Sequence, residues 1–369
     1  GACYKALIVP AVKLIPVFTL KKLLALVRQG ATVVFVEHYP EDVPGYALLE
    51  QNRKQLFALL EQLPGEKSFQ GTQTFNFGKG RIIVGSDYHE TLERTGVPAE
   101  ELKTRWGAQF IRRTHTEGHH YFISNLQAND VEGWVTLNVP EKHIMCFDPM
   151  TGKRGIAKTR EVEGKTQVYM QLKSGESIIL QTFTRSLQGE PEWKYRKEMD
   201  YSLSLDHGWK LRFVESNPAI EGEFKIDTPS SWTEVAHPAA KINRGTALYS
   251  LELDLPELSA DDWVLDLGDV RESARVRING QEAGVAWAVP FRLSIGQLLK
   301  SGKNLIEVEV TNLPVNSIAE MDRQGKQWRI FEDINMAKLN YEKGTYGHWE
   351  TLPSGLNGIV RLIPVKYLF

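Results

Sequence analysis

Three pairs of close-set carboxylates have the residue types that acid–base chemistry requires: Glu320 with Asp322, Glu332 with Asp333, and Asp261 with Asp262. Cleavage of a glycosidic bond takes two such groups about 5–10 Å apart on either side of it. All three pairs lie in polar stretches, and it is burial that raises an acid's pKa. They therefore read as solvated surface. His119-His120 is the one adjacent histidine pair. Neighbours in a strand point to opposite faces, so the two cannot share a metal ion without a bulge. His38 and His89 flank strand ends in a region of α/β pattern, where such sheets bind ligands. Neither is accompanied by a nucleophile or a phosphate loop, and no glycine-flanked serine elbow or cysteine–histidine signature occurs. No residue is assigned a catalytic role, and no metal ligand is singled out.

Composition narrows the partners. Lysine plus arginine (44) nearly balances aspartate plus glutamate (46), leaving a formal charge of -2. Nucleic-acid binders neutralise phosphates with a basic excess, so no nucleic-acid partner is expected. The lone basic pair Arg112-Arg113 reads as a solvated strand edge. Near-neutrality is compatible with a neutral polyol such as a sugar. Cys3 and Cys146 follow no metal or redox spacing, and Cys146 sits in an apolar run that predicts a buried thiol. No stretch approaches the ~18 apolar residues of a membrane helix, so no membrane partner is expected. The chain opens Gly1-Ala2-Cys3-Tyr4 without a signal peptide pattern, and Gly1 fits the scar of a removed tag.

At 369 residues the chain suits two or three domains. Residues 1–105 read as a small, mostly parallel α/β domain, flavodoxin- or amidotransferase-like. Residues 5–10 predict a buried strand. Thr19 is the expected cap of a helix with Leu20, Leu23, Leu24 and Val27 on one face, ended by Gly30. Residues 31–37 predict the next strand, and Leu49, Leu56, Leu59, Leu60 and Leu63 a second helix. Strands at 72–77 and 81–85 are joined by the turn Gly78-Lys79-Gly80. The turn after the first strand, Ala11-Val12-Lys13-Leu14, lacks phosphate-binding glycines, so a dinucleotide site is excluded. Residues 106–188 show short strand-like runs at 110–113, 121–125, 132–139, 144–148, 167–172 and 177–182, a small antiparallel β-sandwich. Glu190-Pro191 opens a linker, and residues 189–369 read as a jelly-roll β-sandwich. There Tyr249, Leu251, Leu253 and Leu255 alternate with Ser250, Glu252 and Asp254. Ala274, Val276 and Ile278 alternate with Arg275 and Arg277, ahead of an Asn279-Gly280 hairpin turn. Ile306, Val308 and Val310 alternate with Glu307 and Glu309.

The order Gly245-Thr-Ala-Leu-Tyr249, Leu265-Asp-Leu-Gly268, Ala274-Arg-Val-Arg-Ile-Asn-Gly280, Pro290-Phe291 and Glu307-Val-Glu-Val-Thr-Asn312 resembles the galactose-binding-like jelly roll of glycoside hydrolase family 2 sugar-binding domains. Gly78-Lys-Gly-Arg81, Ile111-Arg-Arg113, Tyr121-Phe-Ile-Ser-Asn125, Asp148-Pro-Met-Thr-Gly152 and Leu352-Pro-Ser-Gly-Leu356 extend the match. Nearly the whole chain resembles the non-catalytic C-terminal region of glycoside hydrolase family 106, the α-L-rhamnosidases. Family members carry a catalytic barrel N-terminal to this region, with the catalytic glutamates and a calcium site in it, and no position here matches those motifs.

The resemblance implies an accessory region of a large glycoside hydrolase acting on plant polysaccharide or glycan. The parent would be periplasmic or extracellular, the partners its own N-terminal barrel and carbohydrate, and this chain alone non-catalytic. No cofactor is expected; structural calcium is compatible with the sequence, but no residue is singled out for it. An independent carbohydrate-binding module is the alternative, and a stand-alone hydrolase a weaker one. Sugar recognition pairs aromatic faces with planar polar groups. Trp287 and Arg292 in one loop, and Tyr346, His348 and Trp349 in another, are the candidates. Trp263, inside a strand, reads as core. The competing reading of the aromatic loops is a sandwich edge or a domain interface.

Overall fold

The computed structural model describes residues 4–65, 71–256, 259–330 and 344–369. The chain divides into two compact units: one up to Arg105 together with Thr136–Asn138, the other Trp106–Val135 together with Val139–Phe369.

The first unit is α/β. It runs β1 (Leu7–Val9), α1 (Val17–Arg28), β2 (Thr32–Val36), α2 (Leu49–Leu60), β3 (Gln73–Phe77) and β4 (Gly80–Gly85), then short helices α3 (Tyr88–Arg94) and α4 (Glu101–Thr104). The sheet order is β1-β2-β4-β3, with β2 parallel to both β1 and β4 and β3 antiparallel to β4. β2 is buried along its whole length, as an apolar, β-branched run inside a parallel sheet should be. α1 turns Leu20, Leu24 and Val27 inward at helical spacing.

Three expectations change here. Thr19 does not cap α1. The helix begins at Val17, three residues earlier than a Thr19 cap would set it, with Pro16 as its cap, and the Thr19 N–H already donates to the Pro16 carbonyl. Residues 5–10 do not form a buried strand: β1 pairs with β2 alone, at the sheet edge, and leaves Leu7 and Ile8 exposed. α2 stops at Leu60, with Leu56 its fully buried residue and Leu63 buried beyond its end.

The second unit holds two antiparallel sandwiches. The first comprises β5 (Gln109–His115), β6 (Gly118–Ser124), β7 (Val131–Leu137), β8 (His143–Phe147), β9 (Arg154–Ile156), β10 (Thr159–Val162), β11 (Lys165–Leu172) and β12 (Ser177–Phe183). They form sheets of order β5-β6-β12-β8-β9 and β10-β11-β7. β11 and β12 bury alternate residues, which marks one wet and one dry face per sheet. Arg112 and Arg113 are exposed on the edge strand β5. The segment at Glu190-Pro191 is not a free linker. The Ile156 N–H donates to the Pro191 carbonyl and the Trp193 N–H to the Ile156 carbonyl, so it runs beside β9.

The second sandwich comprises β13 (Tyr195–Glu198), β14 (Leu203–Ser204), β15 (Trp209–Asn217), β16 (Glu223–Ile226), β17 (Arg244–Leu255), β18 (Asp262–Asp266), β19 (Val270–Arg271), β20 (Ser273–Ile278), β21 (Gln281–Ala286), β22 (Arg292–Ser294), β23 (Gly302–Thr311), helix α5 (Val315–Arg323), β24 (Gly355–Leu356) and β25 (Arg361–Leu368). A six-stranded sheet, β16-β15-β17-β23-β20-β21, faces a five-stranded one built on β13-β25-β18-β22. One continuous core joins them: Trp209, Tyr249, Val276 and Val308 from the first, Trp263, Leu265 and Leu362 from the second. Each such side chain contributes roughly 1.5–3 kcal/mol on burial, so the alternation in β17, β20 and β23 decides which face is inner. Asn279 and Gly280 both take positive φ, the hairpin turn expected between β20 and β21.

Gly355 opens β24 at φ +97°, and a Cβ there would overlap the Tyr249 hydroxyl and the Trp232 indole, both buried. Gly355→Ala is expected to lower the unfolding free energy by about 2–4 kcal/mol, since strain and overpacking add. Urea unfolding of the intact chain checks this; a change within about 0.5 kcal/mol would contradict it.

Candidate functional site

Trp287 follows β21, where exposure alternates along an extended chain: Val285 exposed, Ala286 buried, Trp287 60% exposed. The indole is held out of the core because Ala286 takes the inward position. Arg292 opens β22 opposite Asp266 of β18. Its Nε donates to Asp266 Oδ2 at 2.8 Å, and one terminal nitrogen donates to Glu198 Oε1 at 2.9 Å. Glu198 in turn meets Lys173 Nζ at 3.0 Å, and Lys173 meets Asp130 at 2.9 Å. Arg292 is thus one member of an alternating ladder of charges that ties the second sandwich to the β11–β12 turn of the first. Burial pushes the Glu198 carboxyl up, but hydrogen bonds and charge from Lys173 and Arg292 outweigh it and hold it below its ordinary value.

The other aromatic loop packs on α5. Asp322 accepts from the Trp328 indole N–H at 2.7 Å and from the Tyr346 backbone N–H. Arg323 pairs with Glu320 at 2.7 Å and donates to the carbonyls of Gly347 and Trp349 at 2.9 and 3.0 Å. The Tyr346 ring lies 4.5 Å from that of Trp349 and 5.7 Å from that of Trp328, centre to centre, and the Arg329 guanidinium sits over both Trp328 and Tyr346. Trp349 stays 40% exposed and His348 is exposed beside it. The result is an aromatic shelf rimmed by charge. Among the described residues, Trp287 shares none of the hydrogen bonds or ring contacts that hold it. Trp328, Arg323 and Arg329 were not singled out from sequence, although the adjacent aromatic and cation at 328–329 were a usable signal.

Of the three carboxylate pairs, the two that lie within the described residues are committed. The Tyr346 N–H, then the Trp328 N–H, hold Asp322 below its ordinary value, and hydrogen bonds from Arg323 and Gln324 do the same for Glu320. Asp262 departs from the expected solvated surface. It is only 7% exposed, accepts from the backbone N–H groups of Trp263 and Gly296 and from Ser294, and so pins the turn after β22. Glu332, Asp333 and Cys3 lie outside the described residues. His119 meets the buried Glu141 at 3.2 Å while His120 stacks on His115, so the adjacent pair does point two ways. Cys146 is buried, and its apolar surroundings push the thiol far up. Among the described residues no group of three or more histidine, cysteine or acidic side chains could hold a metal ion.

Comparison with known proteins places these features. Residues 1–159 match the family model of the glycoside hydrolase family 106 alpha-L-rhamnosidases. The rhamnosidase structure from Novosphingobium sp. PP1Y superimposes with a TM-score of 0.67 at 26% identity, covering 95% of this chain. This is a glycoside hydrolase-related region. It is also similar, at 29% identity over 197 residues, to a Formosa agariphila protein that carries the name beta-glucuronidase. The chain spans 32% of the rhamnosidase structure and 17% of the Formosa agariphila protein.

The charge ladder generates a pH prediction. Glu198 and Asp130 have depressed folded-state pKa values, so their stabilisation is present above the unfolded-state values and is lost as pH falls through the folded ones. Arg292→Met is expected to cost about 1–3 kcal/mol at pH 7, the lower part of that range being favoured because Glu198 is partly solvated. It should also flatten the acid limb of stability below about pH 5. Urea titrations of both proteins between pH 3 and 7 check this; parallel pH curves would contradict it.

Proposed function

We propose that this chain is the accessory, non-catalytic region of a larger α-L-rhamnosidase-like glycoside hydrolase. It supports the catalytic part of that polypeptide and contributes carbohydrate-binding surface. The observation that carries this reading is the lopsided coverage: nearly all of this chain superimposes on a rhamnosidase, yet it accounts for about a third of that structure. The side-chain chemistry is in line with it. Glu320 and Asp322 are each taken up by hydrogen bonds of the fold that hold them below their ordinary values, whereas a glycosidase acid has a raised pKa and faces the sugar bond. The exposed edge of β1 and the shelf around Trp349 are apolar surface of the kind that packs against further protein.

A second reading, an independent carbohydrate-binding module, draws on one observation. The half-exposed Trp349 ring, buttressed by Tyr346, offers a stacking face without further rearrangement.

The purified chain is expected to release no nitrophenol from 4-nitrophenyl α-L-rhamnopyranoside above the buffer rate. Turnover that vanishes in Glu320→Gln or Asp322→Asn would overturn the accessory assignment.

A further inference from the structure

The outer face of the six-stranded sheet carries side chains in cross-strand rows fixed by register. Thr246 and Ser273 both stand opposite Thr311, forming a row of hydroxyls. The next row runs Leu248, Glu309, Arg275, Val285. A β-bulge in β15 between Phe213 and Glu215 sets Val214 and Glu215 at the end of these rows, both exposed. Bulges re-aim side chains and recur beside binding sites. Between these rows lies a depression of about 250 Å³.

Its chemistry is specific in three respects. First, Glu309 gives its carboxylate to Arg277, from the row beyond, at 2.7 Å. Arg275, though directly opposite Glu309, forms no ion pair among the described residues, so its guanidinium fork is open to a ligand. Second, charge around the depression is balanced: Arg275 and Arg277 against Glu215 and Glu309. A strongly charged ligand gains little there, while a ligand with many hydroxyls finds donors, acceptors and the Thr246–Thr311 hydroxyl pair, 2.8 Å apart. Third, Val285 (39% exposed) supplies apolar contact beside Arg275, while Val214 (47% exposed) lies at the far end of the depression, with three strands between them. The volume falls below the ~300–1,000 Å³ of sites for drug-sized ligands, so one ring fits and a longer oligomer would extend beyond it.

We propose that this depression binds one neutral pyranose residue of a glycan. Arg275, Glu309 and Thr311 meet its hydroxyls, and Val285, directly opposite Arg275, meets its C–H surface. The site rests on the reading of the chain as a carbohydrate-handling region, and it differs from the aromatic loops as the place of contact. A shallow, open site of this kind should bind with a dissociation constant on the order of millimolar.

The test is a ¹⁵N-TROSY titration of the full chain with methyl α-L-rhamnopyranoside. Saturable shifts are expected at Thr246, Ser273, Arg275 and Thr311. Arg275→Ala should raise the dissociation constant about tenfold or more while leaving the melting temperature unchanged, since Arg275 is exposed. Arg275→Lys should restore binding only in part, because an ammonium lacks the planar fork. Shifts confined to the surroundings of Trp287 or Trp349, or no saturable shift up to about 50 mM sugar, would overturn the site. Tighter binding of methyl glucuronide, by about tenfold or more, would overturn the choice of a neutral ring. Free rhamnose in the same samples would instead count against the non-catalytic role, so the two failures are told apart.

Discussion

Everything in the second unit depends on one constraint, the burial of alternate side chains between facing sheets. Val276, Ile278, Ile306, Val308 and Val310 are fully buried, and each would lose roughly 1.5–3 kcal/mol if turned to water. A one-residue slip of β20 or β23 would expose that set and bury Arg275, Arg277, Glu307 and Glu309 in its place. The register is therefore not adjustable, and the polar outer face is as firmly specified as the core. A binding surface laid out on those positions is pre-organised without any contact of its own.

The same economy governs the polar groups that sequence reasoning offered for chemistry. Arg292 holds Asp266 and Glu198, Asp262 pins a turn, and Asp322 fastens the Trp328–Tyr346 shelf to α5. Glu198 and Asp322 are held in their ionised form by donors that the fold supplies. That is the opposite of what a general acid requires, and it explains why residues with suitable types and spacing serve as fasteners. Arg275 stands apart because its natural partner is shared out to Arg277.

Much of the second sandwich was legible because its strands alternate cleanly and its turns carry their own signals, Asn279-Gly280 above all. Trp263 in the core followed from its place in a strand, and Trp287 at the surface from its place in a loop. The limits were equally physical. The start of α1 was misplaced because Thr19 is a good cap in isolation, while Pro16 upstream sets the turn. The apolar run at 5–10 predicts a strand but not an edge, since edge or centre is decided by which strands pair with it. Asp262 looked solvated because its neighbours in sequence are polar; Gly296 and Ser294, which bury it, arrive from another strand. The depression beside Arg275 was invisible for the same reason, being assembled from residues on separate strands and opened by a bulge.

The outer face of the six-stranded sheet is proposed as a carbohydrate surface of an accessory region. Crystals of the chain grown with excess methyl α-L-rhamnopyranoside test it most directly. Density for one pyranoside between Arg275, Thr311 and Val285 is the predicted result. An empty depression with sugar ordered elsewhere, or no sugar bound at all, would contradict it.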